Sequence, residues 1–428
     1  SGASIMDREW SIGHGGWAGD CQNWAAHYAP APEDDPFSRL ANGTGPYRLA
    51  SWAAGESIQL ERFDAYWRTL PAWPGGPAGP AQLERIELRI TPDVDQRLAW
   101  LSAGEIDHAD VPPPAYAQLE ALVGEVCIPG DDLFRCEPAA ENAPLRLFKD
   151  FPQAARRDVF FNFEVSVPEG GNPFLGSGVL DGDGIPPDFF SDVNIRRAFN
   201  YCFDRQAYRE QALGGEAYSA RGLLLPAMPG YEQSADGFSY NLDNCAQAFQ
   251  RAAIQGPQGE TVWEAGFRLQ FLYPAEDLQR RLMGETLAVG LQALNPRFRL
   301  EVVAADWDLL TRSQRTNMLP LFTLGWMEDI HDPHHWADLY LAGAFARSQN
   351  MPPAQLYLFN ELIDQGIETL EPERRAATYA RLNELVFEQA PQILLPLPTG
   401  RRYEQRWVSG WYFNPALPGI YFYALSKR

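Results

Sequence analysis

The stretch 267–324, FRLQFLYPAEDLQRRLMGETLAVGLQALNPRFRLEVVAADWDLLTRSQRTNMLPLFTL, decides the fold because two hydrophobic patterns alternate along it. Short runs with an apolar residue at every second position are typical of strands. Longer runs with apolar residues three and four positions apart are typical of helices. The patterns predict strands over 267–271, 298–303 and 319–324, separated by helices over 276–294 and 307–315. Strands that alternate with helices indicate an α/β fold in which helices pack on a layered sheet.

The composition predicts a folded chain with more than one core. The chain has 428 residues, too many for one ordinary core, and its 45% apolar and 13% aromatic content argues against disorder. The formal net charge of −21 disfavours nucleic acid and anionic lipid as partners, because both would be repelled. No apolar run approaches the length of a membrane span.

Further strand and helix signals lie on both sides of this stretch. Alternating apolar residues around a turn predict a β-hairpin, and Gly104 stands where a helix should end. A Gly-, Pro- and Asp-rich segment over 164–188 is typical of a crossing between lobes. The predicted elements are the hairpin over 47–62, helices over 95–103, 195–203 and 372–389, and strands over 159–163 and 393–397.

The five cysteines allow two interpretations. Cys127 and Cys136 flank a short loop and could form a local disulfide, Cys202 and Cys245 could form a second one, and Cys21 is then left over. Such bridges indicate an oxidising compartment outside the cytoplasm. The alternative is five reduced thiols in a reducing cytosol.

Six segments, spread over nearly the whole chain, carry a family resemblance. They are GTGPYRLASWAAGESIQLERFDAYW (43–67), RLAWLSAGEIDHADVP (97–112), NIRRAFNYCFDRQ (194–206), LPAMPGY (225–231), LGWMEDIHDPHHW (324–336) and GWYFNPALPGIYFY (410–423). In these segments and in their order the chain resembles the extracellular solute-binding proteins of family 5, which are the dipeptide-, oligopeptide- and nickel-binding proteins of ABC importers.

The resemblance implies an α/β clamp of the type II periplasmic-binding-protein kind, with two lobes joined by hinge strands. We expect lobe I to comprise residues 1–163 and 399–428, and lobe II to comprise 164–398. Family members usually begin with a longer segment that builds the start of lobe I. This chain opens at Ser1 without that segment, an initiator Met or a signal peptide. We therefore expect a front segment that is cleaved or absent.

The resemblance also implies a function. The chain is expected to bind a peptide between its lobes, without a cofactor and as a monomer, and to deliver it to a membrane permease. The expected location is outside the cytoplasm, in the periplasm or on the cell surface. We do not expect the protein itself to be an enzyme.

Residues of the candidate site follow from the same resemblance. In peptide-binding relatives an acidic residue at the position of Asp329 accepts the α-ammonium group of the ligand, and tryptophans at the positions of Trp307 and Trp326 wall the pocket. Those relatives also use arginines for the C-terminal carboxylate. The matching positions here are Gln314 and Thr323, so Arg312 and Arg315 are candidate substitutes, and a solvated helix face is the alternative for both.

Other chemistries fit parts of the sequence. His331, His334 and His335 are close enough in sequence to suggest a metal site, although Pro333 would scatter them, and surface histidines are the alternative. Asp181, Asp183 and Asp188 resemble the start of a calcium loop but lack its terminal Glu. Glu328, Asp329 and Asp332 could supply a carboxylate pair to a hydrolase. An oligosaccharide or a metal chelate is the alternative ligand within the same family.

Overall fold

The polypeptide separates into two compact units. A computed structural model describes residues 6–28, 35, 37, 40–130, 134–232, 237–414 and 419–428. Unit 1 comprises Ser1–Pro112, Ala117–Phe148 and Arg402–Arg428, and unit 2 comprises Pro113–Tyr116 and Lys149–Arg401. Apart from the short segment Pro113–Tyr116, the chain enters unit 2 after Phe148, earlier than the expected lobe boundary at residue 163. The reason is that the strand Ala155–Phe161, just before residue 163, pairs with strands of unit 2.

Helices and short strands alternate along much of the chain. In chain order the helices are α1 (Arg8–Gly13), α2 (Val94–Ala103), α3 (Tyr116–Leu119), α4 (Val193–Cys202), α5 (Arg205–Leu213), α6 (Leu242–Gln250), α7 (Val262–Ala265), α8 (Leu278–Leu294), α9 (Trp307–Arg315), α10 (Pro333–Leu341), α11 (Ala344–Ser348), α12 (Pro353–Glu368) and α13 (Pro372–Gln389). The strands are β1 (Tyr47–Ala53), β2 (Ser57–Arg62), β3 (Arg85–Arg89), β4 (His108–Ala109), β5 (Val123–Pro129), β6 (Phe134–Pro138), β7 (Leu145–Pro152), β8 (Ala155–Phe161), β9 (Ala217–Tyr218), β10 (Phe267–Pro274), β11 (Phe298–Ala305), β12 (Leu321–Met327), β13 (Gln392–Ile393), β14 (Leu397–Gln405), β15 (Val408–Ser409) and β16 (Ser426–Lys427).

Unit 1 contains a small antiparallel sheet of order β1–β2–β3. The predicted hairpin is its β1–β2 pair, in which Leu49 lies opposite Leu60. Gly55 has φ +77° in the connecting turn, a backbone conformation that glycine adopts without a steric penalty. A larger sheet has the order β4–β14–β7–β5–β6, with β9 also paired to β14. The chain passes between the units within β7 and within β14, and also on either side of the short segment Pro113–Tyr116.

Unit 2 is built on a sheet of order β12–β8–β13 and on the parallel pair β10–β11. Strand β8 carries Val159, Phe160 and Phe161, which are all fully buried. Phe160 belongs to one hydrophobic cluster, while its two neighbours belong to another, as expected from the alternating side-chain directions of a strand. The strand thus contributes to a core on each of its faces.

The region that opened the sequence analysis has the predicted alternation. Helix α8 begins after the N-cap Asp277, whose side chain accepts a hydrogen bond from the Arg280 N–H. Helix α9 has the predicted bounds, and β12 lies slightly later than predicted. The prediction of a strand over 393–397 is wrong in part: β13 ends at Ile393, and the next strand begins only at Leu397. Pro396 lies between them and has no N–H for strand pairing.

Two disulfides join Cys127 to Cys136 and Cys202 to Cys245. The first links the paired strands β5 and β6 of unit 1, where the two cysteines lie opposite each other. The second links α4 to α6 in unit 2, and both of its cysteines are fully buried. Cys21 is free and exposed.

Among the residues that the structure describes, none of the helices is both long and apolar enough to cross a bilayer.

Candidate functional site

The candidate site in unit 2 begins where β12 ends. Strand β12 runs antiparallel to β8, so that Gly325 pairs with Arg157 and Trp326 pairs with Arg156. The backbone N–H of Glu328 then donates to the carbonyl of Ala154 at 2.8 Å. This hydrogen bond extends the pairing past the strand and fixes the start of the loop that leads to α10.

Glu328 anchors this loop through its side chain. The carboxylate is buried and accepts hydrogen bonds from Trp336 Nε1 at 2.9 Å and from His331 Nδ1 at 2.6 Å. Both donors lie within eight residues of Glu328 in the sequence, one on the loop and one on α10. The loop is therefore closed on itself around one buried anion. The sequence grouped Glu328 with its acidic neighbours and gave no sign that its role is structural.

Asp329 is the next residue, and its side chain is exposed. Within the part of the chain that the structure describes, no hydrogen bond or ion pair engages its carboxylate. The neighbouring Glu328 is held in place while Asp329 remains available. An ionised carboxylate in this situation can accept charge-assisted hydrogen bonds from a cationic ligand.

Trp326 and Trp307 are both accessible in part. Trp326 is half-buried, and its indole N–H donates to His335 Nε2 at 2.7 Å. Trp307 is the first residue of α9 and is 55% exposed, which is unusual for so large an apolar side chain. The Arg280 guanidinium lies over its ring, 5.5 Å from the centroid.

A chain of contacts leads from Trp307 to strand β8. Arg280 pairs with Asp277 at 3.2 Å, and Asp277 pairs in turn with Arg157 of β8, also at 3.2 Å. Arg157 is the partner of Gly325 in the sheet, one residue before Trp326. Trp307, Arg280, Asp277 and Arg157 therefore form a contiguous set within unit 2. Trp326 pairs with Arg156 and lies on the other face of the sheet from Arg157.

This set has more positive than negative charge. Arg157 and Arg280 share the single carboxylate of Asp277. Burial lowers the pKa of Arg280, and repulsion by Arg157 acts in the same direction, while Asp277 opposes both. The excess cation beside an exposed tryptophan suits an anionic group such as a carboxylate. Sequence reasoning missed Arg157 and Arg280, because only the fold brings β8 beside α8.

Arg312 and Arg315 lie in the last turn of α9, at the opposite end from Trp307. Both are exposed, and neither has an ion pair to any described residue. A rise of about 1.5 Å per residue places Arg315 about 12 Å along the helix axis from Trp307. Thr323 is buried and Gln314 is half-buried. The contiguous set around Trp307 contains neither arginine.

The histidines that follow β12 bind different partners. His331 donates to Glu328, His335 accepts from Trp326, and the buried Nδ1 of His334 has no partner in the part of the chain that is described. Their nitrogens do not converge on one point. Asp332 is also occupied, because it caps α10 and forms a two-pronged ion pair with Arg375 at 2.7 and 2.9 Å. Burial acts to raise the pKa of Asp332, but the hydrogen bonds from Arg375 and from the His334 N–H lower it overall.

The possible calcium loop is held together without a cation. Asp181 accepts hydrogen bonds from Ser177 Oγ and from the Asp183 N–H, and Asp183 pairs with Arg299. These hydrogen bonds lower the pKa of Asp181, the one from Ser177 having the largest effect. Asp188 precedes a short 3-10 turn and does not join the other two in a ligand cluster. Across the described residues, the one cluster with metal-ligand spacing is Glu125, Cys127 and Cys136, and its cysteines are disulfide-bonded.

A cavity of about 870 Å³ lies in unit 1 and contains none of the residues singled out above. It is lined by β3 and β4, each of which is an edge strand of its sheet, and by residues near the C-terminus. Leu88 and Ile90 on its wall are 37% and 48% exposed. Charged side chains such as Arg89, Glu105 and Lys427 line it as well. The cavity volume alone therefore does not identify the ligand site.

Comparison with known proteins assigns the fold and then the family. The fold is the mixed α/β fold of the type II periplasmic binding proteins. The family model "Bacterial extracellular solute-binding proteins, family 5 Middle" matches residues 22–347. The chain belongs to this family, whose members are binding proteins rather than enzymes.

Relatives within the family bind different ligands. The dipeptide-binding protein of Escherichia coli K12 is 21% identical over 374 residues, which cover 87% of this chain and 59% of that protein. The chain therefore spans less than two thirds of that relative. The binding protein DppA of Helicobacter pylori, solved in complex with the peptide STSA, has a TM-score of 0.66 at 17% identity and covers 99% of this chain and 68% of its own. NikA of Brucella suis, solved with Fe(III)-EDTA, has a TM-score of 0.65 at 17% identity. The match covers 90% of this chain and 68% of the NikA chain.

Proposed function

We propose that the chain is the substrate-binding component of an ABC importer and that its ligand is a peptide held through its N-terminal amine. The observation that carries the proposal is the contrast between the adjacent carboxylates of Glu328 and Asp329. Glu328 is buried and fully bonded, while Asp329 beside it is exposed and unpaired among the described residues. The relative named for dipeptides and the structure solved with a peptide support the same ligand class.

Asp329 is the proposed acceptor of the ligand's α-ammonium group. An ammonium group supplies three N–H donors to a carboxylate, and charge-assisted hydrogen bonds are about twice as strong as neutral ones. Trp326 lies three residues before Asp329, and the exposed Trp307 carries the Arg280 guanidinium over its ring. Both tryptophans then contact the peptide and exclude water from the ion pair.

Arg280 and Arg157 are the proposed partners of the peptide's carboxylate or of an acidic side chain. They outnumber their shared carboxylate, and Arg280 lies over the ring of Trp307, whereas Arg312 and Arg315 lie at the far end of α9. We therefore prefer the first pair over the second. Arg315→Gln is a matched control for Arg280→Gln, because both remove a guanidinium from unit 2. Peptide affinity should fall in Arg280→Gln and should stay unchanged in Arg315→Gln.

The two units are the proposed lobes I and II, and β7 and β14 are the proposed hinge strands. A ligand that contacts both lobes favours a closed state. The closed state signals a bound ligand to the permease only if the ligand binds the closed state more tightly than the open state. The proposed location is outside the cytoplasm, which agrees with the two disulfides. The protein leaves the peptide unchanged, and no cofactor takes part.

Native mass spectrometry of the purified protein tests the ligand class directly. We expect a heterogeneous set of peptide masses that dissociate on unfolding. Incubation with one of these peptides should return it intact, because the carboxylates of Glu328 and Asp332 are bound to structural partners. Recovery of an oligosaccharide or of a metal chelate would overturn the peptide assignment, and recovery of cleaved peptide would indicate a hydrolase.

A further inference from the structure

The hydrogen bond between Trp326 and His335 sets a condition on the charge of the histidine. An indole N–H is only a donor, so His335 Nε2 must be the acceptor and cannot carry a hydrogen. A neutral imidazole with its hydrogen on Nδ1 meets this condition. A protonated imidazole carries hydrogens on both nitrogens and cannot accept the bond.

The same residues lie between the core and the candidate site. Trp326 packs edge-on against Phe345 of α11, with ring centroids 6.4 Å apart, and its polar end meets His335 in the first turn of α10. Three residues further along the chain is Asp329. The direction of the indole ring is therefore determined by one apolar contact and one hydrogen bond.

We propose that His335 is the positioning residue for Trp326 and that its protonation releases the indole ring and weakens ligand binding at the site. The effect on binding rests on the peptide-binding function proposed above. The proposed role of His335 in orienting the indole of the ligand-free protein does not depend on that function. His335 does not contact the ligand in this proposal and acts only through Trp326.

Three of the ionised groups around His335 are engaged with other partners. Asp332 on its own helix pairs with Arg375 of α13, Glu328 pairs with His331, and Arg156 of β8, opposite Trp326, pairs with Asp158. Asp338 on the same helix is exposed, and Asp329 on the loop is exposed as well. Helices α11 and α12 pack against α10, and their ionisable side chains, Arg347, Glu361, Asp364 and Glu368, are exposed. The remaining titratable neighbour is His334, whose Nδ1 has no described partner.

The test follows the Trp326 indole signal of ¹⁵N-labelled ligand-free protein between about pH 8 and pH 5, the range in which imidazoles gain a proton. The signal is assigned by its loss in Trp326→Phe. We expect it to titrate in the wild type and to stay constant in His335→Gln, because a glutamine oxygen accepts the bond and does not ionise. His334→Gln is the matched control and should titrate like the wild type. A Trp326 signal that is independent of pH in the wild type, or that titrates equally in His335→Gln, would overturn the proposal.

Peptide affinity supplies the second readout. Because the peptide's own amine titrates near pH 7.7–8.0, the quantity compared is the ratio of wild-type to His335→Gln affinity at each pH. This ratio should be near one at high pH and should fall by about threefold to tenfold at low pH, as expected for the loss of one hydrogen bond. A constant ratio would refute the effect on binding. If the wild type binds no peptide at any pH, the proposed function fails, while the indole titration still decides the role of His335.

Discussion

Glu328 and Asp329 are adjacent acidic residues with opposite surroundings. The first is buried between Trp336, His331 and the backbone of Ala154, and the second is exposed. Sequence reasoning placed both in one acidic cluster and could single out Asp329 only by resemblance to relatives. It could not identify Glu328 as the anchor, since burial depends on how α10 returns toward β12.

Replacing Glu328 and Asp329 in turn should separate stability from binding. We expect Glu328→Gln to lower the free energy of unfolding by about 1–3 kcal/mol, because a buried acceptor of charge-assisted hydrogen bonds is lost. Asp329→Asn should leave stability within about 0.5 kcal/mol, as is usual for exposed positions. Denaturant unfolding of both variants measures the difference. Equal destabilisation by the two substitutions would show that the assigned roles are wrong.

His108 should make unit 1 sensitive to acid. Burial lowers the pKa of His108 to about 4, and the charge of Arg402 acts in the same direction. An unfolded histidine has a pKa of about 6.5, so the unfolded state binds more protons between these values. The stabilising contribution is therefore complete above about pH 6.5 and is lost as the pH falls toward 4, by about 1.4 kcal/mol per pH unit.

The variant that tests this expectation is His108→Asn. The His108 Nδ1 hydrogen bonds to the carbonyl of Tyr403 at 2.8 Å, and an asparagine amide can replace this donor without titrating. The variant should lose stability less steeply than the wild type between about pH 6.5 and 4 in unfolding measurements. A slope equal to that of the wild type would mean that other groups cause the acid sensitivity.

Single elements were predictable where their signals are local. The sequence predicted α9 and α13 with their observed bounds. Apolar spacing and a proline or acidic residue in the first turn suffice for this. The partners of His331 and His335 were not predictable in the same way, because both hydrogen bonds depend on the approach of α10 to the end of β12.

The two disulfides should contribute unequally to stability. Cys202 and Cys245 are separated by 43 residues, and Cys127 and Cys136 by nine. The loss of chain entropy in the unfolded state grows with loop length, which predicts about 4 kcal/mol for the longer loop and about 3 kcal/mol for the shorter one. Double Cys→Ala variants of each pair, compared by denaturant unfolding, measure this. A larger loss from the shorter loop would contradict the entropic explanation.

At the scale of the whole molecule, the sequence predicted the α/β class and the resemblance predicted the family, both of which are confirmed. The division of the chain was harder to predict. The strand at 159–163 was expected to end lobe I, but β8 pairs with β12 and β13 inside unit 2. Strand pairing partners far apart in sequence leave no local signal, so the composition change after residue 163 does not coincide with the division between the compact units.

Ligand binding should stabilise the whole protein if the proposed function is correct. A ligand that binds only the folded state at about 100 times its Kd adds about 2.7 kcal/mol to the free energy of unfolding. We expect a bound peptide to raise the melting temperature of the wild type, and Asp329→Asn to abolish most of this rise at the same peptide concentration. An equal rise in both proteins would place the ligand amine on another group.

The central claim is that Asp329 binds the ligand's α-ammonium group, and a double-mutant cycle tests it most directly. Calorimetry measures the Kd of a peptide and of its N-acetylated form with the wild type and with Asp329→Asn. We expect acetylation to weaken binding to the wild type by about 2–5 kcal/mol, the loss typical of breaking a desolvated charge pair. In Asp329→Asn it should have little further effect. Equal losses on acetylation in both proteins would contradict the account.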